Sequence, residues 1–301
     1  VPAPFRSRLV GTVVGSALGD ALGMPVEGLS HQNVRTYYKG IKEPRADEKR
    51  GDLGVGQWTA DTERARAITR ALATSAPDSP EEARQALDRE MPGSLRRGEV
   101  QSPSSALAAC AAPLGVQARL RGLADLAVAR WAGLLLSPVD PHPAAHVAAA
   151  AQVAVLRTCL GKDPDGLSGA QIVGAALSAA RDAERLLGAD DRVSNRLAAL
   201  QDHLDEFPLD LQDRCAGTGS AADEAAPFAI AMVSRSPALV ESTLLAAVNV
   251  GGDAAAVGAC VGAALGALHG VEAFPAEWLD GLEDADAIRA EAEALADALG
   301  G

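Results

Sequence analysis

Aromatic residues are scarce in this 301-residue chain. Phe, Trp and Tyr together make up 3%, although hydrophobic residues reach 48%. A core with so few rings must be filled by Ala, Leu and Val, which favours closely packed helices. Basic residues are the minority, 27 Lys and Arg against 40 Asp and Glu, giving a net charge of −13 and a pI near 4.8. That balance excludes binding to a nucleic-acid backbone as a main role, because such affinity comes from clustered Lys and Arg. The acidic surplus reads as a solvated surface. The four cysteines, Cys110, Cys159, Cys215 and Cys260, stand isolated without a CxxC pair. They read as small core residues of a reducing compartment, not as zinc ligands. No apolar run reaches the roughly 18 uninterrupted residues of a membrane span; Val257–His269 is the nearest and is short and glycine-rich. Leu9–Gly19, behind Arg6 and Arg8, has some features of a signal peptide, but Asp20 and the lack of a cleavage site point away from one. The expected location is the cytoplasm, with no membrane role.

Several catalytic motifs are missing too. There is no Walker A loop, and no GxS segment has the strand–turn–helix setting of a hydrolase elbow. His142 and His146 have helical i,i+4 spacing but lack the glutamate of an HExxH site, so a helix-start or surface role is expected.

What is present is helical pattern. Leu9, Val13, Ala17 and Ala21 recur every four residues, and Gly11, Gly15, Gly19 and Gly23 form a second, smooth stripe suited to close helix contact. Further helices are expected from about residue 59 through Leu72, from Pro80, and over 105–112, 121–135, 143–160, 168–187, 190–204, 221–233, 237–248, 253–269 and 284–299. Pro113-Leu114-Gly115 reads as a break, and 28–57, 92–105 and 208–220 read as loops. The first of these is long enough to be functional or mobile. No strand and no linker is evident, which predicts one all-α domain over 1–301.

Oxygen-bearing side chains cluster at helix ends and glycine turns: Asp20, Glu27, Thr59, Asp61 and Asp253. Asp20 lies in an apolar stretch and needs a partner, structural or functional. Thr59 or Asp61 could serve simply as a helix N-cap. Hard cations such as Mg²⁺ favour oxygen sets of this kind, and a dinuclear site needs several carboxylates. The stretch Val250–Gly258 has two glycines and Asp253 ahead of a helix, followed by three alanines with no reactive group.

Four ordered segments resemble the ADP-ribosylglycohydrolases. Gly11–Glu27 is similar to the family's opening helix, with its Gly-Asp-Ala-x-Gly and following Glu. Gly56-Gln-Trp-Thr-Ala-Asp-Thr62 is similar to the Thr-Asp-Asp-Thr segment. Gly217-Thr-Gly219 with Glu224 resembles a family loop, and Val250–Gly270 resembles the Gly-Gly-Asp-Thr-Asp-Thr segment with its helix. The resemblance implies an orthogonally packed multi-helix fold whose cleft holds two Mg²⁺ ions and hydrolyses the glycosidic bond of an ADP-ribosyl group. It implies Thr59, Asp61 and Asp253 as metal ligands, and Glu27, Asp61 and Asp253 as catalytic candidates. Asp20, Glu27, Gly217, Gly219, Ser220, Gly251 and Gly252 are implied to line the ligand.

The sequence departs from that pattern where metal would bind. Ala60 replaces an Asp, and Ala254, Ala255 and Ala256 replace Thr, Asp and Thr. A Gly-Asn-Gly segment of the family appears as Ser104-Ser105-Ala106, and a Thr-His pair as Ser137-Pro138. A methyl group cannot coordinate Mg²⁺, so weak or absent metal binding is expected. Three readings follow. The first is a non-hydrolytic member whose cleft holds an ADP-ribose-like nucleotide or a modified protein partner. The second is an enzyme turned to metal-independent acid–base chemistry through Asp20, Glu27, Asp61 and Asp253. The third is a residual one-metal hydrolase.

Overall fold

Glycine at every fourth position from Gly11 to Gly23 falls along one stripe of a helix, and the chain supplies a matching stripe some 240 residues later. In the computed structural model, which describes residues 3–48, 51, 53–95 and 103–301, the two stripes meet. The helices are α1 (Phe5–Gly23), α2 (His31–Asn33), α3 (Ala60–Ser75), α4 (Pro80–Glu90), α5 (Ala106–Ala109), α6 (Ala112–Leu120), α7 (Asp125–Leu135) and α8 (Pro143–Gly161). They continue with α9 (Gly169–Leu187), α10 (Arg192–Leu200), α11 (Pro208–Arg214), α12 (Ala222–Arg235), α13 (Val240–Val248), α14 (Ala254–His269), α15 (Ala276–Asp280) and α16 (Ala285–Ala298). Among the described residues there is no strand, only isolated bridges between Ser30 and Gly251 and between Ser104 and Ala221.

The closest pairing joins α1 and α14, which run antiparallel. Gly11 lies against Gly266, Gly15 against Gly262, Gly19 against Gly258 and Gly23 against Ala254. A Cβ at any of these four α1 glycines would fall within the contact distance of backbone atoms on α14. Without methyl groups the backbones approach directly, and the gain is dispersion and packing density in place of side-chain burial. Around this pair α8 packs on α5, α6, α7, α9, α12 and α14, while α16 covers α1 and α3.

Arg8 ties the far end together. Its Nε donates to the Ala267 carbonyl at 2.8 Å and its Nη2 to those of Lys162, at 2.7 Å, and Cys159. A cation thereby meets the C-terminal carbonyls of both α14 and α8, where helix dipoles favour positive charge.

The structure corrects several element boundaries. Pro113 does not break a helix but sits in the first turn of α6, where its missing N–H costs nothing. The expected 105–112 helix ends at Ala109 instead, and the helix expected from 121 starts at Asp125. Residues 208–220 are not all loop: Pro208 opens α11. The 28–57 stretch contains α2 and a π-helical turn, Val34–Tyr38. It is also pinned. Asn249 accepts from the Ile41 N–H at 2.6 Å and donates to its carbonyl at 2.9 Å, and Gly56 accepts from the Glu283 N–H at 3.0 Å. Residues 96–102 of the second loop lie outside the described residues.

No uninterrupted apolar run is that long, but two helices, over 5–26 and 143–161, reach the length and mean hydropathy of a bilayer span when isolated charged residues are tolerated. Apart from Phe5 and Pro143 at their starts, their apolar residues are largely buried among other helices.

Candidate functional site

The site forms where α1 ends and where α3 and α14 begin. Two helix N-termini leave backbone N–H groups without intrahelical partners, and both are capped by carboxylates from one short stretch. Asp20, in the last turn of α1, caps α3. Its Oδ2 accepts from the Thr59 and Thr62 N–H groups at 3.0 and 3.1 Å, and from their hydroxyls at 3.2 and 2.6 Å. Glu27, seven residues on, caps α14: its Oε2 accepts from the Ala255 N–H at 2.8 Å. Asp253 occupies the N-cap position of α14 but makes no side-chain capping bond. Thr59 is the N-cap of α3, its hydroxyl accepting from the Asp61 N–H at 3.2 Å, so the plain capping reading holds for it.

The freed Asp253 carboxylate turns toward Ser105 and Glu27. It accepts a hydrogen bond from Ser105 Oγ and pairs with the Glu27 carboxyl. Burial, and then the charge of Asp253 and its hydrogen bond, push Glu27 up to about 9, against the pull of the Ala255 N–H. The Glu27–Asp253 pair therefore holds one proton at neutral pH. Asp61 is pushed up to about 7, by burial and by the charges of Asp20 and Asp253, and Arg64 opposes the shift. Arg64 Nη1 donates to Asp61 Oδ1 at 2.7 Å. Asp20 is pushed up to about 6 by burial, despite its four donors. Its second oxygen, Oδ1, is buried with no hydrogen-bond partner.

The glycine turns hold this arrangement together. Gly251 and Gly252 have φ of +84° and +72°, a region open to glycine and strained for other residues. Gly252 exchanges backbone hydrogen bonds with Leu29 and Gly28, both at 2.8 Å, and Asp253 N–H donates to the Thr218 carbonyl. The Gly217–Ser220 loop is thus brought to the site through Thr218. Gly217 and Gly219 lie against the Glu224 carboxylate, which accepts from the Gly219 N–H at 2.9 Å. Ser220 is exposed and contributes its carbonyl, which accepts from the Ser105 N–H at 3.0 Å.

The structure therefore gathers Asp20, Glu27, Thr59, Asp61 and Asp253 from three widely separated stretches. The alanines line the same place: Ala254, Ala255 and Ala256 are buried, and Ala60 is exposed beside Asp61. His142 and His146 take no part. His142 caps α8, and His146 meets the Asp140 carbonyl.

Two participants, Arg64 and Asp140, escape the sequence reading, and a third, Ser105, is marked there only as the counterpart of a family segment. Arg64 could have been found from its i,i+3 spacing to Asp61 on a helix. Ser105 bonds a residue 148 positions away, which no local pattern reveals. Asp140 is buried and holds the serine turn, accepting from the Ser104 N–H at 3.2 Å and the His142 N–H at 2.8 Å.

Comparison with known proteins agrees with this architecture. A family model described as ADP-ribosylglycohydrolase matches residues 2–301. An uncharacterized protein of Archaeoglobus fulgidus is 28% identical over 293 residues, with 90% of each chain covered. The uncharacterized protein YegU of Escherichia coli is 27% identical over 304 residues, with 89% of each covered. A solved structure titled ADP-ribosylglycohydrolase-related protein complex superposes with a TM-score of 0.70 at 22% identity, covering 97% of both chains.

Proposed function

The chain belongs to the ADP-ribosylglycohydrolase family, and from that premise we propose that it binds an ADP-ribose-like nucleotide, free or carried on a modified protein, without two-metal hydrolysis. The observation that carries this reading is that every carboxyl of the cleft is engaged by a protein donor. Asp20 is held by Thr59 and Thr62, Asp61 by Arg64, Asp253 by Ser105 and Glu27 by the Ala255 N–H.

The donor set does not fit a pair of Mg²⁺ ions. Such ions demand near-octahedral oxygen ligation, and a dinuclear site needs carboxylates around both metals. Ala60 and Ala255 offer none. What is left for a ligand is the half-buried Asp253 carboxylate, an acceptor of the kind to which a ribose hydroxyl donates.

Calorimetry tests this. Titration with ADP-ribose is expected to give binding whose affinity is the same in Mg²⁺ and in EDTA. Incubation with ADP-ribosyl-arginine or ADP-ribosyl-serine is expected to release no free ADP-ribose. Mg²⁺-dependent release, or no binding at millimolar ADP-ribose, overturns the proposal.

A second reading rests on the Glu27–Asp253 pair itself. Two carboxyls of which one holds its proton to about pH 9 can act as acid and base on a small molecule without metal. Loss of a turnover that survives EDTA on changing Glu27→Gln would favour it.

A further inference from the structure

We infer that Arg64 is the resident cation of this cleft: its guanidinium takes the electrostatic place of a divalent metal on Asp61 and keeps such metals out. The inference rests on the metal-free reading above and adds a cause to it. Metal exclusion would come from a charge that is present, and not only from ligands that are missing.

Asp61 is the one position of the Thr59–Thr62 segment that both retains a carboxylate and sits beside other acids. A buried carboxylate among acids needs a counter-charge. Arg64 supplies it from one turn further along α3, with Nη1 at 2.7 Å from Asp61 Oδ1. The two side chains are only 13% and 12% exposed, so solvent screens the pair little. Nor is the guanidinium free to swing aside, because its Nε donates to the Leu95 carbonyl at 3.1 Å. That bond also fastens the segment after α4 to the start of α3. Among the described residues that donate to the four cleft carboxyls, namely Thr59, Thr62, Arg64, Ser105 and Ala255, Arg64 is the one carrying charge. An arginine cannot lose its proton to admit a metal. A divalent ion on the remaining oxygen of Asp61 would sit a few ångströms from a fixed positive charge, and the two would repel.

The prediction is that rebuilding the lost ligands is not sufficient. Mn²⁺ binding should be measured by calorimetry, with melting temperature recorded to show that each protein is folded. The proteins are the unaltered chain, the triple variant Ala60→Asp/Ala255→Asp/Ala256→Thr, and the triple carrying in addition Arg64→Gln or Arg64→Lys. Glutamine can keep a bond to the Leu95 carbonyl without charge, whereas lysine keeps charge without the planar fork. The expected result is Mn²⁺ affinity at least about tenfold higher with Arg64→Gln than in the triple variant, and no such gain with Arg64→Lys. Equal affinity in the triple and the Arg64→Gln variants overturns the inference. So does equal gain from Gln and Lys, or absence of binding in all folded variants. Mn²⁺ binding by the unaltered chain would instead overturn the metal-free reading on which the inference stands.

Discussion

Gly19 and Gly258 face each other across the α1–α14 contact, and each occupies the space a methyl on the other would need. A Cβ at Gly19 would fall on the Gly258 carbonyl, and one at Gly258 on that of Gly19. The contact lies one residue before Asp20 and five after Asp253, so it also sets how far apart those carboxylates stand.

Gly258→Ala is therefore expected to destabilise the fold by about 3 kcal/mol, as overpacking forces the helices apart. Gly174→Ala, in the middle of α9 with nothing within 4 Å of the new methyl, should instead stabilise by about 0.5–1 kcal/mol through helix propensity. Urea denaturation of both variants checks the pair. Equal effects would mean that the glycine stripe is not a packing requirement.

Arg8→Met removes the donor shared by the carbonyls of Ala267, Cys159 and Lys162. Leaving the buried Ala267 and Cys159 acceptors without a partner should cost about 2–4 kcal/mol. Denaturation at low and at high salt distinguishes this from a surface ion-pair effect. The loss should be nearly independent of salt, because the acceptors are carbonyls in a buried site.

Stability should fall as pH rises from about 5 to 9. In the unfolded chain Glu27 releases its proton near 4.5, and Asp20 and Asp61 near 3.8; in the fold the three hold theirs to about 9, 6 and 7. Over that window the folded protein binds more protons than the unfolded chain, so raising the pH favours unfolding. Above pH 7 Glu27 carries most of the effect. Thermal denaturation of Glu27→Gln should accordingly show a flatter Tm profile between pH 7 and 9 than the unaltered chain. Parallel profiles would contradict the assignment of the proton to the Glu27–Asp253 pair.

The glycine-rich approach to α3 is expected to be static at its end. Trp58 Nε1 donates to the Glu283 carbonyl at 3.2 Å, and the Arg66 guanidinium lies over its ring, 5.5 Å from the centroid. Trp58→Ala should speed amide exchange at Gly56 and Gln57 by about tenfold or more, read by hydrogen–deuterium exchange. Unchanged exchange would mean that the Gly56–Glu283 backbone contact alone holds the segment.

The extent to which the sequence disclosed all this depends on the range of each interaction. The α1 glycine stripe is a local repeat, and it forecast a close helix contact without revealing the partner. Asp20 was legible as a carboxylate in need of hydrogen bonds because its surroundings in sequence are apolar. Its role as cap of α3 depends on a partner 39 positions along the chain and was not. Pro113 shows the opposite failure: a residue that both ends and begins helices, read as an ending. Glu27 and Asp253 stood out separately. What could not be read was their exchange of duties, in which Glu27 caps the helix that Asp253 heads and so frees Asp253 for Ser105.

The pairing of α1 with α14 also has a consequence during synthesis. About 230 residues separate the end of the first helix from the start of the second. At roughly 5–20 residues per second, α1 leaves the ribosome roughly 10–45 s before its partner exists. For that interval an apolar helix with a bare glycine face has no native surface to cover it, and neither Asp20 nor Glu27 has its full set of neighbours. The carboxylate cluster is thus among the last features the growing chain can complete, and the apolar α1 needs shelter until then.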